Sequence, residues 1–160
     1  MSPSAGPEAI LAAARAKGLR LATAESCTGG LVAAALTEVP GSSDVFERGF
    51  VTYANAAKVE MLSVLEATLA AHGAVSEEVA AEMAAGARAH SPADIAVSIT
   101  GIAGPGGSEH KPEGRVCFGL AAPAGTRTET VEFGALGRAQ VRAAARDHAL
   151  ALLAGAIDAL

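Results

Sequence analysis

The amino-acid sequence predicts an α/β protein, with helices layered over a mostly parallel sheet that a late hairpin makes mixed. Three observations predict it. Helix-period and strand-period segments alternate along most of the chain, as expected for βα units over a parallel sheet. Two strands near the C-terminus, Val116–Ala122 and Thr126–Phe133, are separated only by Pro123-Ala124-Gly125, so they pair as a hairpin and one of them runs against the rest. Three glycine- or hydroxyl-rich segments, Ser26–Gly30, Tyr53–Lys58 and Thr100–Gly107, fall at strand ends. In open α/β sheets ligands gather at the C-terminal ends of strands, so one shared site is expected there.

The elements follow in order. Pro7–Lys17 is alanine-rich with Ile10, Leu11 and Ala14 on one face, a helix that Gly18 stops. Leu19–Ala24 is a short buried strand. Thr28–Glu38 is a second helix, opened by the Thr-Gly-Gly turn and stopped by Pro40-Gly41. Ser42-Ser43-Asp44 is turn material, and Val45–Tyr53 is a strand whose apolar bulk is Phe46, Phe50 and Val51. Asn55 or Ala56 opens a helix to about Leu65. Ser76 is an N-cap, and Glu77 and Glu78 suit the positive end of the helix that follows. Val79, Ala80, Met83, Ala84 and Ala87 carry that helix to about Ala89, ahead of Ser91-Pro92. Asp94–Thr100 is a strongly apolar strand that leads into Gly101–Gly107. After the hairpin, Arg138–Leu160 is a closing helix with Val141, Ala145, His148, Leu152 and Ile157 near one face.

A chain of 160 residues, 51% hydrophobic and 18% charged, is one globular domain long enough to bury a core. Its net charge of −5 includes no basic block, which argues against direct nucleic-acid binding. No stretch is apolar enough for a membrane span, and Met1–Gly6 lacks the basic start of a secretory leader. The two cysteines, Cys27 and Cys117, fit a reducing, cytoplasmic setting rather than a disulfide scaffold. The four histidines have no ligand spacing with each other or with the cysteines, so a metal site is not expected.

Ala24-Glu25-Ser26-Cys27-Thr28-Gly29-Gly30 reads as a strand end, a sharp hydroxyl-rich turn and a helix start. Such a junction holds a nucleophile rigidly and aims backbone N–H groups at what it attacks. Ser26 is either that nucleophile or a capping hydroxyl. Cys27 is a second nucleophile or, the commoner case, a small buried residue. Lysine is scarce: Lys17, Lys58 and Lys111 stand against nine arginines. A guanidinium does not give up its proton, so a retained lysine can mark the need for an amine that does. Lys58 follows the only tyrosine, Tyr53, by five residues. A serine, a lysine and a tyrosine on separate elements suggest serine catalysis activated by an amine.

Five ordered motifs then resemble one family. They are Ala-Glu-Ser-Cys-Thr-Gly-Gly (24–30), Val-Pro-Gly-Ser-Ser (39–43), Tyr-Ala-Asn-Ala-Ala-Lys (53–58), Gly-Ala-Val-Ser-Glu-Glu-Val-Ala (73–80) and Thr-Gly-Ile-Ala-Gly-Pro-Gly-Gly (100–107). Together they are similar to the C-terminal domain of CinA, the competence/damage-inducible protein family, which includes stand-alone nicotinamide-nucleotide amidases. The likeness covers residues 8–155 or so. The longer members' extra N-terminal domain is not in this sequence, so the stand-alone form, a single domain over 1–160, is expected.

The resemblance implies three layers, α/β/α, around a mixed sheet of about five strands. It implies hydrolysis of the carboxamide of nicotinamide mononucleotide (NMN) to nicotinate mononucleotide and ammonia, with no metal and no organic cofactor. By position in the motifs, Ser26 is the implied nucleophile and Lys58 its base, since no histidine lies in a matching motif. A desolvated lysine titrates well below its reference value of roughly 10.4. Tyr53 is expected to relay the proton or orient the amine. Amides at the start of the Thr28 helix, with those near Gly101, are expected to form an oxyanion hole.

Substrate contacts are expected from Glu25, Thr28, Gly29, Gly30, Asn55, Thr100, Gly101 and Gly104. Glu25 would orient its neighbours or meet a ribose hydroxyl, and the glycines would let backbone approach the nucleotide. Arg138 and Arg142 are the phosphate candidates. The family usually shows Gly-Asp-Arg-x-x-Ile-Arg there, and this chain places Gly137 at the Asp position. A pyridine nucleotide is the expected small-molecule partner, and a homodimer or higher assembly is expected. The alternative is a non-catalytic interaction module tied to competence or DNA damage, against which Ser26, Tyr53 and Lys58 are all present. A phosphate-loop hydrolase is disfavoured, because Gly101–Gly107 lacks the Gly-Lys-Ser/Thr ending.

Overall fold

The computed structural model describes residues 6–160; Met1–Ala5, which carry most of the reading against a leader, lie outside the described residues. In chain order the elements are α1 (Pro7–Ala16), β1 (Leu21–Glu25), α2 (Leu31–Thr37), a 3₁₀ turn (Ser42–Asp44), β2 (Phe46–Val51), α3 (Asn55–Leu62), α4 (Glu66–His72), α5 (Glu77–Ala89), β3 (Ile95–Gly101), β4 (Arg115–Ala122), β5 (Gly125–Glu132) and α6 (Arg138–Asp158). The strands form one sheet in the order β2-β1-β3-β4-β5. β1 pairs in parallel with both β2 and β3, while β4 runs antiparallel to β3 and β5. Four strands therefore point one way and β4 alone is reversed, as the hairpin required.

Alternation along the strands decides the layers. Leu21, Ile95, Val97, Ile99, Val116, Phe118 and Leu120 share the main core with α1, α2 and α6. Ala22, Ala24 and Ala96 pack on the opposite face with Leu62 of α3 and with Val79, Met83 and Ala87 of α5. That second face is built of small groups, so α5 comes very close. Ser98 Oγ donates to Ala80 O at 2.6 Å, and a Cβ on Gly119 would collide with that same carbonyl. α3 approaches α5 just as tightly, with the Leu62 carbonyl where a Cβ of Gly86 would lie. The cost of filling such a contact is set by how far the two helices can move apart.

Most boundaries shift by one to three residues from the sequence reading. α2 begins at Leu31 rather than Thr28, because Gly29 and Gly30 take positive φ (57° and 109°) and lead into the helix as a turn. α3 ends at Leu62 rather than Leu65, where Ser63 turns left-handed (φ 60°). β1 and β2 are each shifted or trimmed at their ends. The sequence reading missed α4: it is seven residues long and buries none of them, so it has no apolar stripe to read. Ser76 caps α5 as expected, accepting from Val79 N at 3.2 Å. No helix among the described residues is long and apolar enough to cross a membrane.

The topology sets one edge of the sheet apart. β1, β2 and β3 are parallel, so Ser26, Tyr53 and Gly101 emerge together at their C-terminal ends. β5 points the same way and delivers Arg138 to the same edge. The reversed β4 starts there, so the long connection Ile102–Gly114 also lies across it. α2 leaves the end of β1 toward one face while α3 to α5 cover the other, so the chain parts at the end of β1. Ligand crevices form at such a point.

Candidate active site

Ser26 follows the last residue of β1 and is pinned by its own amide, which donates to Ile99 O of β3 at 2.9 Å. Glu25 locks the turn from below. Its fully buried carboxylate accepts from Gly30 N (3.2 Å), Val32 N (2.9 Å) and Ala33 N (3.0 Å). These are first-turn amides of α2 that would otherwise lack partners, and negative charge is favoured at that end of a helix. Arg142 of α6 holds the turn from outside, donating through Nε to Cys27 O at 3.0 Å and through Nη2 to Thr28 O at 3.4 Å.

Lys58 comes from the first turns of α3 and is only 1% exposed. Its Nζ lies 3.1 Å from Ser26 Oγ, 2.9 Å from Thr52 O and 3.4 Å from Tyr53 O. Among the described residues no carboxylate is paired with it. Burial therefore lowers its pKa from the ordinary lysine value, with smaller opposing contributions from Cys27 and Glu109. The neighbouring Cys27 thiol behaves oppositely: burial pushes its pKa up to about 12. Cys27 is 4% exposed, the small buried turn residue rather than a second thiolate.

Above Ser26 and Lys58 opens a cavity of about 340 Å³. Tyr53, Asn55, Thr100, Gly101 and Gly104, from two of the strand-end segments, border it together with Arg138. Thr100 Oγ1 is committed to Ala74 O at 2.8 Å, so it supports the wall. Gly101 is required by space: a Cβ there would stand 2.7 Å from Val116 Cγ2 and 3.1 Å from Cys27 Sγ. Arg138 donates from Nη1 to Gly104 O at 2.7 Å and from Nη2 to the Tyr53 hydroxyl.

Several expected contacts take other roles. Glu25 faces the amides of α2, not the cavity, so it orients the turn and is not placed to meet a ribose. Thr28, Gly29, Gly30 and Arg142 do not line the cavity either. Thr28 is fully buried, Gly29 and Gly30 build the turn, and Arg142 braces it. The Tyr53 phenol is turned to Arg138; only the Tyr53 carbonyl reaches Lys58, so the expected proton relay is not what this geometry presents. The start of α2 is likewise spent: Gly29 N donates to Ser26 O, Leu31 N to Thr28 O, and the next two amides to Glu25. No carbonyl or carboxylate among the described residues takes the amides of Cys27 and Thr28.

Sequence reasoning missed one wall of the cavity, formed by Ala74, Val75 and the tip Ser108–Glu109. Lys111 fastens that tip down, donating to His72 O (2.7 Å) and Val75 O (2.6 Å). The signals available were the 73–80 motif, which carries Ala74 and Val75, and Lys111, and neither fixes a partner.

Comparison with known proteins agrees with this architecture. The sequence model of the CinA C-terminal domain matches residues 5–157. The nicotinamide-nucleotide amidohydrolase PncC of Escherichia coli K12 is 52% identical over 147 residues, covering 91% of this chain and 89% of that protein. A CinA-like protein of Chloroherpeton thalassium is 62% identical over 111 residues, 69% of this chain but 26% of that longer protein. The chain thus spans about a quarter of that relative and nearly the whole length of the other. The crystal structure of competence/damage inducible protein CihA from Agrobacterium tumefaciens superposes with a TM-score of 0.90 at 47% identity, over 95% of this chain and 93% of that one. Sheet order, motifs and extent of match converge on one assignment: this chain belongs to the CinA C-terminal domain family.

Proposed function

We propose that the protein is a nicotinamide-nucleotide amidohydrolase that hydrolyses the carboxamide of NMN through a serine nucleophile activated by a lysine. The observation that carries the reading is the contact between Lys58 Nζ and Ser26 Oγ at 3.1 Å, at the floor of a strand-end cavity. The name of the E. coli relative, which this chain matches over most of both lengths, supports the substrate. A cavity of about 340 Å³ suits a small molecule.

Hydrolysis of a primary amide needs a nucleophile, a base, an oxyanion stabiliser and an acid for the leaving nitrogen. Ser26 Oγ attacks the carboxamide carbon and its proton passes to the lone pair of Lys58. The amide of Cys27, which borders the cavity and gives its hydrogen to no carbonyl or carboxylate among the described residues, is the donor left for the oxyanion. The C–N bond breaks as Lys58 returns the proton, and ammonia leaves an ester on Ser26. Water then attacks that ester, gives one proton to Lys58 and, as the ester bond breaks, Ser26 recovers it; nicotinate mononucleotide departs. Arg138, held by Gly104 O and the Tyr53 hydroxyl at the cavity wall, meets the phosphate. Tyr53 thus serves the substrate end rather than the proton transfer.

The test is ammonia release from NMN by purified protein, with the nucleotide product identified by mass. Ammonia and nicotinate mononucleotide in equal amounts are expected. A folded protein that releases no ammonia from NMN contradicts the assignment.

A further inference from the structure

The start of α6 presents an electrostatic problem. Its N-cap is Gly137, at φ 93° with no side chain to cap the helix, and the first turn carries no acidic residue. It does carry Arg138 and, one turn on, Arg142, cations at the positive end of the helix, where the dipole disfavours them. The missing carboxylate arrives from another part of the chain. Glu113, half-buried just ahead of β4, accepts from Gly137 N through Oε2 at 3.1 Å. Its Oε1 accepts from Gly106 N at 2.7 Å. Gly104 makes the room, since a Cβ there would stand 2.5 Å from Glu113 Cδ, and its φ of 92° suits glycine. The ring closes through Arg138, whose Nη1 donates to Gly104 O at 2.7 Å.

We propose that Glu113 is a positioning residue: it clamps the Gly104–Gly107 loop to the start of α6 and so fixes the Arg138 guanidinium at the cavity wall. One carboxylate bonds both partners of Arg138's own frame, its loop and its helix. This rests on the reading of the cavity as an amidohydrolase site in which Arg138 meets the phosphate. Without Glu113, Gly106 N and Gly137 N lose their acceptor, and Arg138 loses the geometry that makes a phosphate contact strong.

The test compares wild type with Glu113→Ala and with Glu113→Gln, which keeps one acceptor oxygen. Each is assayed with NMN and with nicotinamide riboside, which lacks the phosphate. KM for NMN is expected to rise about tenfold in Glu113→Ala and less in Glu113→Gln, with kcat falling by a smaller factor. KM for the riboside is expected to move by less than about twofold, because it does not use Arg138. The Arg138 Nε–H resonance, assigned with Arg138→Lys, should lose its distinct shift in Glu113→Ala. Equal effects on both substrates, or no effect with the Arg138 resonance in place, would overturn the proposal. If wild type hydrolyses neither amide, the amidohydrolase reading fails by itself. The clamp is then judged on the Arg138 resonance and on the Kd for inorganic phosphate, and it falls if both are unchanged in the two variants.

Discussion

Lys58 Nζ faces Ser26 Oγ at 3.1 Å while two backbone carbonyls, Thr52 O and Tyr53 O, take up its other directions. A neutral amine has two N–H bonds and one lone pair. The two carbonyls match the N–H bonds, which leaves the lone pair for the serine proton. Three oxygens suit the three N–H bonds of an ammonium equally well, so it is burial that shifts the equilibrium toward the form with a free lone pair.

Replacing the amine separates charge from basicity. Lys58→Arg keeps a cation that stays protonated, and Lys58→Met keeps only the packing. Both are expected to lose about 10²–10⁴ in kcat/KM for NMN, the usual worth of a general base. Ammonia assays on the two folded variants check this, and near-wild-type turnover by Lys58→Arg would remove Lys58 as the base.

The pH dependence has a definite sign. Desolvation lowers the Lys58 pKa in the fold below the ordinary 10.5. Activity should rise with pH with an apparent pKa below that value. Between the folded and unfolded values the unfolded chain binds more protons at this site, so stability gained from Lys58 increases with pH across that window. Urea unfolding of wild type and Lys58→Met at several pH values should show a positive slope there that the substitution removes. An identical slope in both proteins would mean that Lys58 titrates alike folded and unfolded.

Cys27 makes a contrasting case one residue from the nucleophile. Its thiol, pushed up to about 12 by burial, stays protonated near neutral pH. Cys27→Ala is expected to retain turnover within about fivefold, and iodoacetamide at neutral pH should not inactivate the wild type. Rapid inactivation, with adduct formation on Cys27, would show the thiolate that the burial argument denies.

Glu25 is the main support of the turn. Glu25→Ala leaves three α2 amides without an acceptor in a buried place, at a cost of about 2–4 kcal/mol. Calorimetry should then show Tm lowered by roughly 4–16 °C, and kcat should fall because Ser26 is no longer held. Glu25→Gln, with one acceptor oxygen left, should fall between. An unchanged Tm would place the carboxylate outside the turn's support.

Much of this was legible in the residues. Alternating patterns and the Pro123–Gly125 turn foretold the mixed sheet, and three strand-end segments foretold one shared cavity. Lysine scarcity did not single out Lys58 on its own. Lys17 and Lys111 also have assigned places, each tying its amine to backbone carbonyls, and only Lys58 faces a hydroxyl. Of the two readings of Glu25, orienting its neighbours is the one its contacts match; the residues alone left both open, because a carboxylate in a turn motif looks alike whether it faces a ligand or a helix end. Arg142 was misread for a similar reason: spacing puts it one helical turn from Arg138, yet one side chain reaches the cavity and the other the Ser26 turn. Glu113 left no sequence signal, since its partners Gly106 and Gly137 meet it only through backbone amides brought together by the fold.

The most direct measurement is ammonia release from NMN by Ser26→Ala beside wild type, with both shown folded by circular dichroism. The account predicts release by wild type and a loss of at least about 10³-fold in the variant. Equal release by both would contradict it and place the nucleophile elsewhere than Ser26.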